Sequence, residues 1–519
     1  MLKAVVKKFG GKPMDRMDLV TQALNQDDPE IEQVVVVSAF SGQTDDLIGN
    51  EKKGIKGRVN EILEAEGSPD FGVDDFEEFT EPNLDYALAM ARKYLPEGYI
   101  TNNLELVLDG LNHSTLAEIL AIMRKPKLSP GEKLMLEDRI MALGEVFSAH
   151  VLSEVANVAA RTASGKNGHS VRKYRVVDSA DFFVIPENLN PDKLPKRGDV
   201  CKLITPKLAE AIQETLAAGY TPIVPGYSGY VEGGLLKKFG RGYTDAQAAL
   251  AIRALLALGL NPEDIQLQII KEVEALMSAD PSIVGNKAKP RNRVLPSEAR
   301  ELATLGGMKA VHELVAPILA GKKVSVRVMD INNLDSQGTL IAEPQPGEEL
   351  EEGVLFIAKK SGQTMITVEW DFDDRPGINK EIFTILDELG ISSDATTTSE
   401  NSISFSVGVN QEMVHKLMQK LQSLTYETDE GETLPKFTKV NKKSNRALIC
   451  LVGRNMENIV GLLSRITTVA KDAGVSIDFT SGHSDRNETL IVREEDADKL
   501  LKALHTEFAE RDISEKKAQ

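Results

Sequence analysis

Residues 34 to 37 read Val-Val-Val-Val, directly after Gln33 and directly before Ser38-Ala39-Phe40-Ser41-Gly42. Side chains alternate across a strand, so a strand that is apolar at every position needs cover on both faces. Such a strand belongs inside a parallel sheet, and parallel strands need long, usually helical, crossovers. Further short β-like runs fall at 2–9, 174–177, 221–224, 265–270 and 324–328, with helical stretches such as 246–258 between them. The segment from 49 to 150 is mostly helical in pattern. Strands alternating with helices give an α/β class with an open, mostly parallel sheet.

Length and charge narrow the function classes. A chain of 519 residues exceeds one compact core and calls for roughly three or four domains. The formal net charge of -18 repels phosphate backbones, so nucleic-acid partners are not expected. The opening Met-Leu-Lys-Ala-Val-Val-Lys-Lys interrupts any signal-peptide core, and no apolar run approaches the ~20 residues that span a bilayer. The expectation is a cytoplasmic protein without a membrane partner. Cys201 and Cys450 lie too far apart in sequence to form a framework or a metal site and read as reduced thiols.

Composition shifts at 343–352, where Glu343-Pro344-Gln345-Pro346-Gly347 runs into an acidic stretch; this is the clearest linker. Beyond it lies an internal repeat. Gly377-Ile378 and Gly390-Ile391-Ser392 recur as Gly461-Leu462 and Gly474-Val475-Ser476, a constant offset of 84 residues. Each copy reads as strand, polar loop, amphipathic helix and strand. Ile378, Ile382, Ile385 and Leu386 share one face of the first helix, and Leu462, Ile466, Val469 and Ala470 share one face of the second. A duplicated small module after a catalytic-looking region suits either regulation or a dimer interface.

Four polar clusters follow or interrupt apolar runs, where ligands gather in open α/β sheets. Lys7-Lys8-Phe9-Gly10-Gly11 pairs a cation with glycines that let backbone amides approach an anion. Ser38 to Thr44 supplies hydroxyls and Gly42 after the buried strand. Leu143-Gly144-Glu145 sets a carboxylate beside a glycine, a pattern equally common on a solvated helix. Gly240-Arg241-Gly242-Tyr243-Thr244-Asp245 precedes an alanine-rich helix. There Asp245 either caps the helix or orients catalytic groups, and Arg241 either satisfies it or clamps a carboxylate.

In this order the clusters resemble aspartate kinase, within the amino-acid-kinase fold. The likeness continues through Lys271-Glu272-Val273, Ala279-Asp280-Pro281, Gly307-Met308-Lys309 and Gly338-Thr339, and the tail is similar to a pair of ACT domains. It covers nearly the whole chain. The implied architecture is a three-layer amino-acid-kinase sandwich over 1–345 with a helical insert at about 49–135. ACT domains of ferredoxin-like α+β type at 355–445 and 446–506 and a charged tail at 507–519 would follow.

The resemblance implies transfer of a phosphoryl group from ATP, with Mg²⁺, to the β-carboxylate of L-aspartate. This opens the synthesis of aspartate-derived amino acids or ectoine. It implies Lys8 and Asp245 as catalytic groups, and Thr44, Glu145 and Arg241 around aspartate. Gly10, Gly11, Lys271 and Lys309 would hold the nucleotide phosphates. Asp394, Ser399 and Glu400 match the stretch that binds a feedback amino acid in lysine-sensitive members, and the modules imply a homodimer or a dimer of dimers. Departures are Lys12-Pro13 where the family has Thr-Ser, Tyr243 in place of a glycine, and Glu274-Ala275 in place of Asp-Gly. They are similar to a divergent branch such as the aspartate kinases that accompany ectoine genes. Kinases of glutamate or acetylglutamate, and a catalytically silent sensor that kept the fold, are the competing readings.

Overall fold

The computed structural model describes residues 2–42, 74–96, 102–123, 130–167, 172–177, 197–227, 243–304, 311, 315–371, 377–428, 431–482 and 484–510. The chain divides into two compact units, one made of Met1–Ala275 and Ala310–Glu343, the other of Leu276–Lys309 and Pro344–Gln519. Among the described residues no helix is long and apolar enough to cross a membrane.

In the first unit the elements run β1 (Ala4–Phe9), α1 (Gly11–Met14), α2 (Met17–Leu24), β2 (Glu32–Val37), α3 (Asp74–Tyr94), α4 (Asn102–Met123), α5 (Pro130–Asn167), β3 (Tyr174–Val176), α6 (Arg197–Ala217), β4 (Thr221–Pro225), α7 (Tyr243–Ala257), β5 (Ile265–Lys271), β6 (Ser325–Asp330) and β7 (Thr339–Ile341). The strands lie in the order β3-β4-β2-β1-β5-β6-β7. Every neighbouring pair is parallel except β6 with β7. All four valines of β2 are buried, as a central strand covered on both faces requires. Val35 and Val37 join Phe9 in a core with α2, α3, α4 and α5, whereas α7 packs on β1, β2 and β5 from the other side. Strand order reverses at β1, so the crevice beyond the carboxyl ends of β1, β2 and β5 is a topological switch point.

The second unit is built on one mixed-order sheet: β8 (Gly353–Glu369), β9 (Ala395–Thr398), β10 (Ser402–Val407), β11 (Lys439–Arg454), β12 (Ile477–Ser481) and β13 (Asn487–Arg493), ordered β9-β10-β8-β11-β13-β12. Its longer helices are α8 (Ile378–Glu388), α9 (Gln411–Gln422), α10 (Leu462–Asp472) and α11 (Glu494–His505). The repeat helices bury the faces that the 3.6-residue period marks, Ile378, Ile382 and Ile385 in one core and Leu462, Ile466 and Ala470 in another.

The repeats do not simply follow one another. β8 and β11 pair antiparallel along their length, with irregularities on either side of Gln363. The end of β8 pairs with β10 of the first repeat, while the end of β11 pairs with β13 of the second. The two repeats are therefore joined through both long strands. The 276–309 segment, which the linker position assigned to the first region, also belongs here. Ala279 and Val284 are buried with Ile357, Ile466 and Leu504, so the apolar side chains of this segment find their core in the second unit. Cys450 is a buried free thiol on β11 pushed up to about 12 by burial, which makes it an inert packing residue. The side chain of Cys201 lies outside the described residues.

Candidate active site

Alternation along β1 sends its two adjacent lysines to opposite faces of the sheet. Lys7 is buried toward α2, where its Nζ meets Asp27 at 2.9 Å and donates to the Ala23 carbonyl. Gln33 donates to the same Asp27 carboxylate at 2.7 Å. Burial pulls Lys7 below the usual lysine range, with Asp27 opposing. Lys7 is thus a structural ion pair. Lys8 faces α7 instead, with its Nζ 2.7 Å from Asp245 Oδ1. Lys271, the last residue of β5, reaches Oδ2 of the same carboxylate at 3.2 Å.

Asp245 is 3% exposed and stands in the first turn of α7. Burial alone would raise its pKa, but the charges and hydrogen bonds of Lys8 and Lys271 outweigh it and hold the carboxyl well below the usual range. Burial, and then the neighbouring Lys8 charge, pull Lys271 down while Asp245 opposes them. Two cations share one anion. The cluster keeps a net positive charge in a low-dielectric setting, and a phosphate oxygen is the natural complement.

The glycines beside it are arranged for an anion, though unequally. Gly10 turns its N–H back to the Ile270 carbonyl at 3.4 Å. Gly11 opens α1, so its N–H has no intrahelical acceptor. A Cβ on Gly10 would sit 3.6 Å from Lys8 Nζ, and one on Gly11 would lie 3.1 Å from the Ala39 carbonyl. Gly10 therefore presents bare backbone next to the cation, and Gly11 presents it against the turn after β2. Pro13 falls within the first turn, where a missing N–H costs no helical hydrogen bond, so Lys12-Pro13 is accommodated in α1.

Glu145, on α5, is 4% exposed. Burial raises it to about 8, against the Ala39 amide and the Lys8 charge, which act to lower it. Its Oε2 is buried and has no hydrogen-bond partner among the described residues. A buried carboxyl with a free oxygen beside a cationic cluster suits the ammonium group of a ligand.

Several supporting residues were not singled out from sequence. Ser148 Oγ donates to the Ser38 carbonyl at 2.7 Å, tying the turn after β2 to α5. Asp15 accepts the Ser41 N–H at 3.1 Å. Gly226 follows β4 and donates to the Val37 carbonyl at 2.7 Å; a Cβ there would lie 2.3 Å from Thr244 Cγ2 and 2.5 Å from that carbonyl oxygen. The only signal in sequence is a glycine right after an apolar run. Gly226→Ala is expected to destabilise the protein by about 1–3 kcal/mol through overpacking and to lower activity by pushing on the first turn of α7. Urea unfolding alongside an activity assay checks this, and unchanged values would mean that the β4 end yields freely.

Of the residues expected at this site, Lys8, Gly10, Gly11, Glu145, Asp245 and Lys271 come together in the first unit. Thr44, Arg241 and Lys309 lie outside the described residues. In the second unit, Asp394 is paired with Lys360 at 2.8 Å. Ser399 is exposed and hydrogen-bonded to the Ser402 hydroxyl at 2.7 Å. Glu400 is exposed.

A family model described as "Amino acid kinase family" matches residues 3–330, and one described as "ACT domain" matches residues 449–508. The chain is 29% identical over 313 residues to the aspartokinase of Candida albicans, covering 56% of this chain and 54% of that protein. It therefore spans about half the length of that curated relative. It is 27% identical over 521 residues to chloroplastic aspartokinase 1 of Arabidopsis thaliana, covering 98% of this chain and 81% of that one. Among solved structures it is similar to E. coli aspartokinase III in complex with aspartate and ADP (R-state). The TM-score is 0.66 at 20% identity, over 97% of this chain and 99% of that one. A complex of that enzyme with lysine and aspartate (T-state) matches with a TM-score of 0.63 at 21% identity, over 97% and 99%.

Proposed function

The chain belongs to the amino acid kinase family, and from that premise we propose that it is an aspartate kinase, transferring the γ-phosphoryl group of ATP to the β-carboxylate of L-aspartate. The observation that carries this reading is the buried Lys8–Asp245–Lys271 cluster with, beside it, a Glu145 oxygen that has no partner among the described residues. The aspartokinase relatives support the same reaction.

A carboxylate is already nucleophilic at neutral pH, so the protein needs no strong general base. Its task is positioning and charge stabilisation. Glu145 would hold the substrate ammonium, and Arg241 and Thr44 keep the substrate-side roles that the resemblance implies. Lys8 and Lys271 would neutralise charge on the transferred phosphoryl group, with Gly11 offering its amide and Lys309 serving the nucleotide side. Asp245 keeps both lysines charged and aimed. The bare backbone at Gly10, next to Lys8, and at Gly11 after it fits a polyphosphate. Mg²⁺, bound mainly to the nucleotide phosphates and water, would share their charge. The acyl phosphate formed is the activated species from which aspartate-derived amino acids or ectoine are built.

The test is ADP release with ATP, Mg²⁺ and L-aspartate, with hydroxylamine trapping the acyl phosphate. Aspartate-dependent hydroxamate is the expected result. Turnover on glutamate or acetylglutamate instead would move the substrate assignment, and no turnover with any of the three would favour a silent sensor. In the second unit, Asp394 is proposed to pair the ammonium group of an amino-acid effector.

A further inference from the structure

The two long strands of the second unit carry a second internal likeness. Lys359-Lys360-Ser361-Gly362-Gln363 on β8 matches Lys442-Lys443-Ser444-Asn445-Arg446 on β11. Gly362 (φ 73) and Asn445 (φ 54) both take the left-handed conformation, which glycine and asparagine tolerate best. Gln363 and Arg446 are direct partners in the antiparallel ladder. The two pentapeptides therefore face each other, each serving one repeat.

Each reaches an aspartate that occupies the same place in its repeat, Asp394 in the first and Asp478 in the second, at the repeat offset of 84 residues. Lys360 lies 2.8 Å from Asp394 Oδ1, and Lys443 lies 2.7 Å from Asp478 Oδ1. The second carboxylate oxygen separates the two. Arg446 Nε stands 2.6 Å from Asp478 Oδ2, with its Nη1 held by the Ser444 carbonyl at 3.0 Å. The counterpart of Arg446 in the first repeat is Gln363. That side chain is 1% exposed, and neither amide atom has a hydrogen-bond partner among the described residues.

Gln363 and Asp394 converge on bare backbone: a Cβ on Gly408 would lie 2.8 Å from Gln363 Nε2 and 3.3 Å from Asp394 Oδ2. Ser406, paired with Ala395, adds a buried hydroxyl that is likewise unbonded. In the second repeat the residue paired with Phe479, the equivalent of Ala395, is the apolar Ile491. An unsatisfied buried polar group costs about 1–3 kcal/mol. The first repeat carries several such groups, and the second has closed the same place with its own guanidinium and an isoleucine. Asp478 sits below the usual carboxylate range; its partial burial pushes up, and Lys443 and Arg446 prevail.

We propose that Arg446 is a built-in cationic plug, occupying at Asp478 the position left open at Asp394 for the ammonium group of an amino-acid ligand. The unit then takes one such ligand per chain, and the second site is built but closed. The comparison rests on the effector reading of Asp394, but the plug itself can be tested separately.

The experiment is calorimetry of the full chain against the twenty common L-amino acids, comparing wild type with R446Q, R446K and the double variant R446Q/D478N. R446Q is expected to bind an amino acid at one more site per chain than wild type. R446K should keep the wild-type stoichiometry, and the double variant should return to it. A folded R446Q with unchanged stoichiometry for every amino acid would overturn the plug. A wild type that binds none sinks the effector reading at Asp394, whereas one new site in R446Q would still support the plug. If R446Q does not fold, Q363R decides. It should raise Tm by giving Asp394 the missing cation and remove wild-type binding, and a Q363R variant with lowered Tm would overturn the proposal.

Discussion

Asparagine at position 245 is expected to lower kcat at least ~100-fold, the scale of losing a preorganised charge contact. The side chain keeps its shape but loses the charge that holds Lys8 at 2.7 Å and Lys271 at 3.2 Å. Two buried cations would then face each other without their anion, and breaking such a buried pair typically costs about 3–5 kcal/mol. The least costly relief is loss of a proton from Lys271, which burial and the Lys8 charge already pull down, with Asp245 as the main opposition and Glu272 a lesser one. A lysine is charged below its pKa, so residual activity of the variant should be greatest at low pH and fall earlier than wild type as pH rises. Kinetics from pH 6 to 10 on D245N, K8A and the double variant measure this. The double variant should be little worse than either single one, because the residues act as a unit. Near-wild-type kcat in D245N would leave Asp245 a helix-cap residue and no more.

What was legible followed from periodicity and from strand ends. The four valines foretold a strand covered on both faces, and β2 is buried at all of them. Lys8 and Lys271, from two strand ends, meet at Asp245, since parallel strands deliver their carboxyl ends to one edge of the sheet. Contacts between distant segments were not legible. Lys7 and Lys8 are adjacent and identical in type, and only the pairing of Lys7 with Asp27 separates the structural lysine from the one at Asp245. Gly226 matters because Thr244 lies against it, which no local pattern records. The repeat was visible as an offset, yet its sharing of β8 and β11 was not, because each long strand has one continuous sequence and two sets of neighbours. The packing of the 276–309 segment was not legible for a related reason. The linker marks where the chain is exposed, whereas Ala279 and Val284 are claimed by a core formed much later in sequence.

Glu145→Gln is expected to raise KM for aspartate at least ~100-fold, the equivalent of roughly 3 kcal/mol for one half of a buried ion pair. Proton counting distinguishes this from simple misfolding. Burial holds the carboxyl at about 8, so at pH 7 the ligand-free protein keeps it mostly protonated. An arriving ammonium favours the charged form and expels that proton, so aspartate binding should release most of one proton at pH 7 and progressively less as pH rises through 8. Stability carries the same sign. The folded state holds this proton more tightly than the unfolded chain, whose carboxyl titrates near 4.5. Stability of the ligand-free protein should therefore fall as pH climbs from about 4.5 to about 8, by an amount on the order of 5 kcal/mol for this group alone. Aspartate should recover part of that loss, and most strongly at the alkaline end. Calorimetry of aspartate binding in buffers of different ionisation enthalpy reads the proton count directly. Proton release in wild type that vanishes in E145Q assigns the ammonium to Glu145. Binding heats independent of buffer in wild type would place the substrate amine elsewhere and leave Glu145 a buried neutral acid.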